Sequence, residues 1–460
     1  MTAEPILILQ MQRMGDLILS FPLMLWLQRH YPGRALFVAA EKLFFTPLLP
    51  FSPQATYIPW EAAGELKKRR YRLVINLSIR EEAARLAGEL DTEEILGPVL
   101  RRQAHRVHGP WQIYRAALVR NNRGNRFHWA DLNALDCIPM QRMAATRFDP
   151  PRPPRTDKLQ VGLFLGASDA AKRPSPAFWA GLLKELVRRD IRPVLFGGPG
   201  ETELGRETRA LFGRPVPDFC GKLKLDELGR ALNACSLLIT PDTGPMHLAA
   251  WTGCRTLNLS MGNVSPFETG PYQPGHLVLR ADLPCSEGCW ECTRPALECH
   301  AAFTPETVAY VAGKACAGRP LFRAPQGLRL WETGRDSRGL HTLVPLDGSE
   351  PDIDERLGRF WKAFFCWRLG LGTEQDAREA LSALSSGQRS ELAATLPGAV
   401  SRLRNTLAQG PHAPIWNAGP DPLSLLTGYA DMTLRNADFA PTEHAAQLAH
   451  LEALGILLSG

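Results

Sequence analysis

The chain has 460 residues, 45% hydrophobic and 22% charged, with a formal net charge of +6. That length exceeds a single hydrophobic core and calls for two or three domains, while the composition excludes disordered and fibrous classes. No apolar run is long enough to span a membrane, and the start lacks the basic region and cleavage site of a signal peptide, so a cytoplasmic protein is expected.

Residues 6–9 read as a short apolar strand, then come Gln12-Arg13-Met14-Gly15-Asp16 and a helical run over 17–30. Gly15 permits a tight strand-to-helix turn. Asp16 stands at the helix mouth, either as a cap or as a carboxylate facing a ligand. Strands over 36–39 and 73–77 alternate with helical patterns. Residues 1–150 therefore read as an open α/β unit with its crevice at the strand carboxyl ends. Asp149-Pro150-Pro151-Arg152-Pro153-Pro154-Arg155 is a semi-rigid linker, since its prolines can continue neither a helix nor a central strand.

A second α/β unit is expected over 157–320. A strand at 161–165 ends in Gly166-Ala167-Ser168, with Lys172 and Arg173 just beyond. A helix at 176–189, a strand at 193–196, helices at 202–212 and 225–234, and a strand at 237–239 follow. That last strand runs into Asp242-Thr243-Gly244 and restarts as a helix over 245–252, before a strand at 256–259. The free N–H groups of such a helix start suit a phosphate, and Asp242 can cap them. His247, one turn into the helix, is either a buried structural histidine or a phosphate ligand. Two such units joined by a proline linker make a two-lobed fold around a cleft.

Residues 345–460 differ, with helical patterns at 353–370, 373–385, 388–395, 400–408, 422–435 and 441–458. Thr373 with Asp376, and Asp421 before Pro422, have N-cap chemistry, so this part reads as an added all-helical domain. Asp352-Ile353-Asp354 reads as a solvated loop. The aromatic run from Phe360 to Trp367 is either the core of this domain or a partner helix.

The positive excess falls within residues 1–330, and the remainder is net acidic. A basic front suits anionic ligands: a nucleotide sugar, a phosphorylated glycolipid or the inner membrane surface. No nucleic-acid partner is expected, because no zinc-finger, RNA-recognition or helix-turn-helix signature accompanies it. Four of the ten cysteines, Cys285, Cys289, Cys292 and Cys299, lie within 15 residues and precede His300. In a reducing compartment such clustering favours a structural zinc or iron held by four thiolates, with free thiols or a disulfide as the alternatives. His300 is a poorer ligand, since adjacent side chains point apart.

Three pieces in order resemble the family 9 glycosyltransferases, which include the ADP-heptose:lipopolysaccharide heptosyltransferases. They are Arg13-Met14-Gly15-Asp16 with Ser20-Phe21-Pro22, Leu165-Gly166-Ala167-Ser168 with Lys172-Arg173, and Asp242-Thr243-Gly244-Pro245-Met246-His247. The similarity covers roughly residues 5–318. It implies the GT-B fold and inverting transfer from a nucleotide sugar, ADP-heptose foremost, to a lipopolysaccharide core or related glycan. It further implies Asp16 as general base, with Lys172 on the diphosphate and Arg173 able to exchange roles with it. Thr243 and Gly244 would offer N–H groups to phosphate beside Asp242 and His247. Asp226, within Lys222-Leu223-Lys224-Leu225-Asp226, would hold the ribose, while Gly15 and Gly166 shape their loops. The family usually handles its donor without a divalent metal, so no catalytic cofactor is implied. Some members carry cysteine clusters at about this point, including iron-binding enzymes that modify autotransporter proteins.

This chain departs from the pattern at Pro174-Ser175-Pro176, where many members have tryptophan, and over 330–460, which matches nothing in the family. Two other readings stay open. One is protein glycosylation, with the helical extension docking a polypeptide. The other is a non-catalytic scaffold that kept the fold.

Overall fold

The computed structural model describes residues 3–154, 159–286, 288–292, 294–321, 323–346, 348, 350–409 and 421–459. Arg155 of the linker and the expected start of the second unit at residue 157 lie outside them. The first sheet contains β1 (Ile6–Leu9), β2 (Leu36–Ala40), β3 (Thr56–Pro59), β4 (Arg70–Asn76), β5 (Asp91–Arg101) and β6 (Ala104–His108). Their order is β3-β2-β1-β4-β5-β6, with β1 to β5 parallel and β6 folded back antiparallel on β5. β1 is central and all four of its residues are buried, as the apolar run requires of a strand covered on both faces.

The expected helix over 17–30 is two helices, Met14–Leu19 and Phe21–His30. Pro22 lacks the N–H that would continue the first ladder, and it suits the first turn of the second helix.

The second sheet contains β7 (Gln160–Phe164), β8 (Arg192–Phe196), β9 (Leu237–Pro241), β10 (Thr256–Ser260), β11 (Leu277–Ala281), β12 (Leu328–Arg335) and β13 (His341–Pro345). Its order is β13-β12-β11-β10-β9-β7-β8, parallel except for the last two strands, which run antiparallel and carry the sheet past residue 320. Strand order reverses beside β1 in the first sheet and between β7 and β9 in the second. Loops leaving the carboxyl ends of such strands diverge and open a crevice. Each of the three motif loops leaves one of these strands.

After β13 the chain returns to the first lobe as helices Ile353–Arg368, Glu374–Ser382, Ser386–Gln409, Ser424–Asn436 and Pro441–Ser459. The segments expected at 388–395 and 400–408 are one helix that accommodates Pro397. These helices share a core with the first lobe. The Phe365 ring lies 4.7 Å from Tyr114 and 5.5 Å from Tyr429. Asn436 exchanges two hydrogen bonds with the backbone of Val107 in β6. The aromatic run 360–367 is therefore mostly core.

Asp352-Ile353-Asp354 is not the solvated loop expected. Asp352 caps the helix Ile353–Arg368 by accepting the Glu355 N–H at 2.7 Å, and Asp354 receives Arg123 through two nitrogens at 3.0 and 2.9 Å. Thr373 and Asp376 form the anticipated capping box. Asp421 accepts the Leu423 N–H, and its helix begins only at Ser424.

A buried polar knot joins the three parts of the chain. Tyr272 donates to Asp131 at 2.6 Å, the His341 N–H donates to the other Asp131 oxygen, and Lys362 reaches both the His341 carbonyl and Asp336.

Candidate active site

The helix Met14–Leu19, leaving β1, and the helix Gly244–Trp251, leaving β9, meet across the cleft. Neither Gly15 nor Gly244 has a positive φ, so turn geometry is not what requires glycine there. Close approach is. A Cβ at Gly15 would stand 3.2 Å from His247 Cδ2, and one at Gly244 would collide with the Met14 methyl.

Beside this contact lies a cavity of about 510 Å³, lined by Arg13, Gly15 and Asp16 from the first lobe and by Lys172, Asp242, Thr243, Gly244 and His247 from the second. The two halves expected from sequence therefore face one space. Burial pushes the Asp16 carboxyl above its ordinary pKa. The Arg115 guanidinium and the Arg13 backbone N–H pull it back, and Asp242 adds to the rise. Asp16 sits in the first helical turn and takes an N–H from Arg13, so part of the cap reading holds alongside its exposure to the cavity.

Lys172 Nζ lies 2.9 Å from Asp242 Oδ2, with both side chains nearly buried. The other Asp242 oxygen accepts from Thr269 Oγ1 at 3.3 Å. Asp242 is thus engaged by Lys172 and does not cap the helix after it. No side chain caps that helix, and Thr243 stands at its N-cap in an extended conformation. The N–H groups at this helix start are thus left without a side-chain cap, an arrangement that suits an anion.

The turn carrying Lys172 is fixed from two sides. Asp169 accepts the Ala171 N–H, and the His300 ring makes a 2.7 Å hydrogen bond with the Ala171 carbonyl. Burial holds the His247 pKa down at about 4, against the pull of Asp242, so its imidazole is neutral at ordinary pH. It shapes the lobe contact without adding positive charge.

A second cavity of about 370 Å³ adjoins the first, and Met14, Ser168 and Thr243 line both. Its walls include Gly166, Arg173, Phe196, Glu201, Phe219 and Leu223. Arg173 donates twice to the Ala167 carbonyl, so it braces the 166–168 loop. A Cβ at Gly166 would strike the Glu201 carboxyl, which accepts the Gly198 N–H at 2.9 Å. Asp226 lines neither cavity: it lies in the first turn of the helix Leu225–Ala231 and pairs with Arg230. Glu201 is the carboxylate that borders this space, and nothing local in the sequence marks it.

Cys285, Cys289, Cys292 and Cys299 lie along one loop. Burial raises the Cys289 pKa, opposed by Arg280 and assisted by the other three thiols. Among the described residues, however, no three His, Cys, Asp or Glu side chains are grouped to hold one ion. The expected four-thiolate site is not formed by this geometry, and His300 is occupied by Ala171. The loop instead reaches over the first cavity with Trp290, and Glu291 pairs with Arg120 of the first lobe at 2.9 Å. No described helix is long and apolar enough to cross a membrane.

Residues 133–294 match the family model described as Glycosyltransferase family 9 (heptosyltransferase). Over 130 residues the chain is 31% identical to the lipopolysaccharide heptosyltransferase 2 of Escherichia coli (strain K12), covering 27% of this chain and 37% of that protein. The match thus spans little more than a third of that curated relative. The crystal structure of the glycosyl transferase family 9 from Veillonella parvula DSM 2008 superposes with a TM-score of 0.54 at 19% identity, covering 69% of this chain and 98% of that one. The E. coli ADP-heptose lps heptosyltransferase II gives 0.52 at 20% identity, covering 68% and 99%. At these identities the likeness is one of fold. Two Rossmann-like lobes around a cleft, the GT-B arrangement, are common to all three.

Proposed function

We propose that the chain, whose residues 133–294 match the model described as Glycosyltransferase family 9 (heptosyltransferase), transfers heptose from ADP-heptose to a lipopolysaccharide core or related glycan. The observation that carries this reading is the convergence of Asp16, the Lys172–Asp242 pair and an uncapped helix start on one cavity between the lobes.

In this reading the nucleoside occupies the second cavity, between Phe219, Leu223 and Glu201, and the diphosphate lies against Lys172 and the Thr243 and Gly244 N–H groups. Asp16 takes the proton of the acceptor hydroxyl, whose oxygen attacks the anomeric carbon from the side opposite the diphosphate. The bond from that carbon to the leaving oxygen breaks with inversion. The charge growing on the diphosphate is met by the Lys172 ammonium and the helix dipole. Asp242 holds the ammonium in place beforehand, so little reorganisation is needed at the moment of reaction.

The acceptor enters from the side of Arg13 and Phe44. An anionic glycolipid at a membrane surface fits the basic front of the chain and the apolar Leu43 and Ile79, which stand 80% and 83% exposed on a short helix and a loop linked by the Arg80–Glu41 ion pair.

The reading is tested by thermal shift with a panel of nucleotide sugars and by transfer to a lipopolysaccharide core lacking heptose. Stabilisation by ADP-heptose together with heptose transfer is expected. Binding of no nucleotide sugar in the panel would end it.

A further inference from the structure

Four side chains on the wall of the first cavity hold buried polar atoms without a hydrogen-bond partner: Asn122 Oδ1, Asn263 Oδ1, Trp129 Nε1 and, on the helix that starts at Gly244, His247 Nδ1. The orientation of both amides is fixed by what their other ends touch. Asn122 Nδ2 donates to the Glu268 carboxylate at 2.8 Å, and Asn263 Nδ2 donates to the Trp290 carbonyl at 2.9 Å. A carboxylate and a carbonyl only accept, so each NH2 must face them and each Oδ1 must be left over. The Trp129 indole is held by the Arg115 guanidinium, 5.1 Å from its ring centre, and its nitrogen can only donate.

Away from the helix start and its His247, the wall therefore presents two acceptors and one donor. Buried polar groups left unpaired are costly, and native proteins keep few of them without a purpose. The three on this part of the wall are matched by a ligand that brings complementary groups. A phosphate brings acceptors alone and, of the Asn122, Trp129 and Asn263 groups, would satisfy only Trp129. A polyol brings O–H groups for both asparagines and lone pairs for the indole. The Trp290 ring, 37% exposed on the same wall, adds an apolar surface for the C–H face of a sugar.

We propose that Asn122, Trp129 and Asn263 read the hydroxyl groups of the sugar being transferred, and so set which glycosyl group the site accepts. The assignment rests on the nucleotide-sugar reading of this cavity. It divides the cavity in two: Lys172 and the helix start take the diphosphate, and Asn122, Trp129 and Asn263 take the sugar. Asn122 and Trp129 come from the first lobe and Asn263 from the second, so the sugar is read only where the lobes meet.

Calorimetry with ADP and with ADP-heptose on the full chain, and on Trp129→Phe and Asn263→Ala, tests it. Each substitution is expected to weaken ADP-heptose binding by about tenfold and to leave ADP binding unchanged. Trp129→Phe keeps an aromatic ring against Arg115, and its melting temperature guards against loss of fold. An unchanged ratio of ADP-heptose to ADP affinity in both variants overturns the assignment, as does a loss that strikes ADP equally. An effect confined to the acceptor's KM overturns it too, since the hydroxyls read would then belong to the acceptor. Binding of neither ligand by the unsubstituted chain would instead bring down the reading of the cavity itself.

Discussion

Gly15 of the first lobe lies against the imidazole of His247 in the second, so close that a methyl group would stand 3.2 Å from the ring carbon Cδ2. The helix bearing Asp16 and the helix that starts at Gly244 are thereby packed closely, with Gly15 also near the Gly244 backbone. On the proposed function, base and leaving-group site share one wall because two glycines let their helices touch.

Gly15→Ala is expected to wedge these helices apart by a few tenths of an ångström. Overpacking of this kind typically costs about 1–3 kcal/mol, and misplacing a reacting group by ~1 Å can cost 10²-fold in rate. Turnover should fall by roughly tenfold, for a sub-ångström shift, while the chain stays folded. Steady-state kinetics with a melting curve checks this. Unchanged turnover would mean the contact does not set the position of Asp16.

Asp16→Asn is expected to lower transfer by about 10²–10⁴-fold, the usual worth of a general base, and to leave donor binding intact. It should also raise the melting temperature at neutral pH. The folded-state pKa of Asp16 is raised, chiefly by burial, so its ionised form is disfavoured in the fold. Any stability it contributes is complete below its unfolded pKa and lost as pH rises through the folded value. The neutral amide avoids that loss. A variant that is both slower and less stable would show that Arg115 and the Arg13 N–H, and not burial, dominate at this carboxyl.

The acid limb of the pH–rate profile should lie above that of an ordinary aspartate, because Asp16 must lose its proton to act. Arg115 is the largest influence holding the Asp16 pKa down. Arg115→Met should therefore shift this limb further toward neutral pH. A limb that stays where it is would assign it to another group.

Lys172→Met is expected to weaken donor affinity and slow the chemistry together, because leaving-group charge grows toward the transition state. It also leaves Asp242 nearly buried without its cation, which typically costs about 3 kcal/mol. Adding Asp242→Asn should restore much of the stability and none of the activity. Recovery of turnover in the double variant would show that the pair is only structural.

All ten cysteines are free thiols. Timed alkylation followed by mass spectrometry should label exposed Cys292 first. Cys137, Cys220 and Cys254 should react last, since burial pushes their thiols furthest up, behind Cys235, Cys316 and Cys366, which burial raises to about 11. Protection of Cys285, Cys289, Cys292 and Cys299 as a set, lifted by a chelator, would reinstate the metal site that their spacing suggests and their geometry does not form.

The parts of this structure legible in the sequence are those fixed by neighbours along the chain. Apolar runs of three to five residues marked β1, β2, β4 and β7 to β10, and strand-turn-helix chemistry located Asp16 and Asp242. The strands β5 and β6 were not legible, because Asp91-Thr92-Glu93-Glu94 is too polar to read as a strand and pairs only once β4 is in place. β12 was missed because its partner is β11, some 50 residues upstream, and β13 pairs in turn with β12. In the site, the Lys172–Asp242 pair spans 70 residues, and Glu201, Trp129 and Asn122 reach their cavities only through packing of distant segments. Asp226 shows the converse: its local pattern was right for a helix start, and the helix turned it toward Arg230.

The return of the chain to its first lobe after β13 has a mechanical consequence. A protein that crosses between lobes once can swing and twist about a single tether. This one crosses near residues 149–154 and again between β13 and the helix Ile353–Arg368, and two tethers define an axis. Relative motion is thereby reduced toward one rotation, which opens and shuts the cleft while keeping Asp16 in register with Lys172. The same geometry means that cutting the proline connection would leave both halves of the active site on one particle.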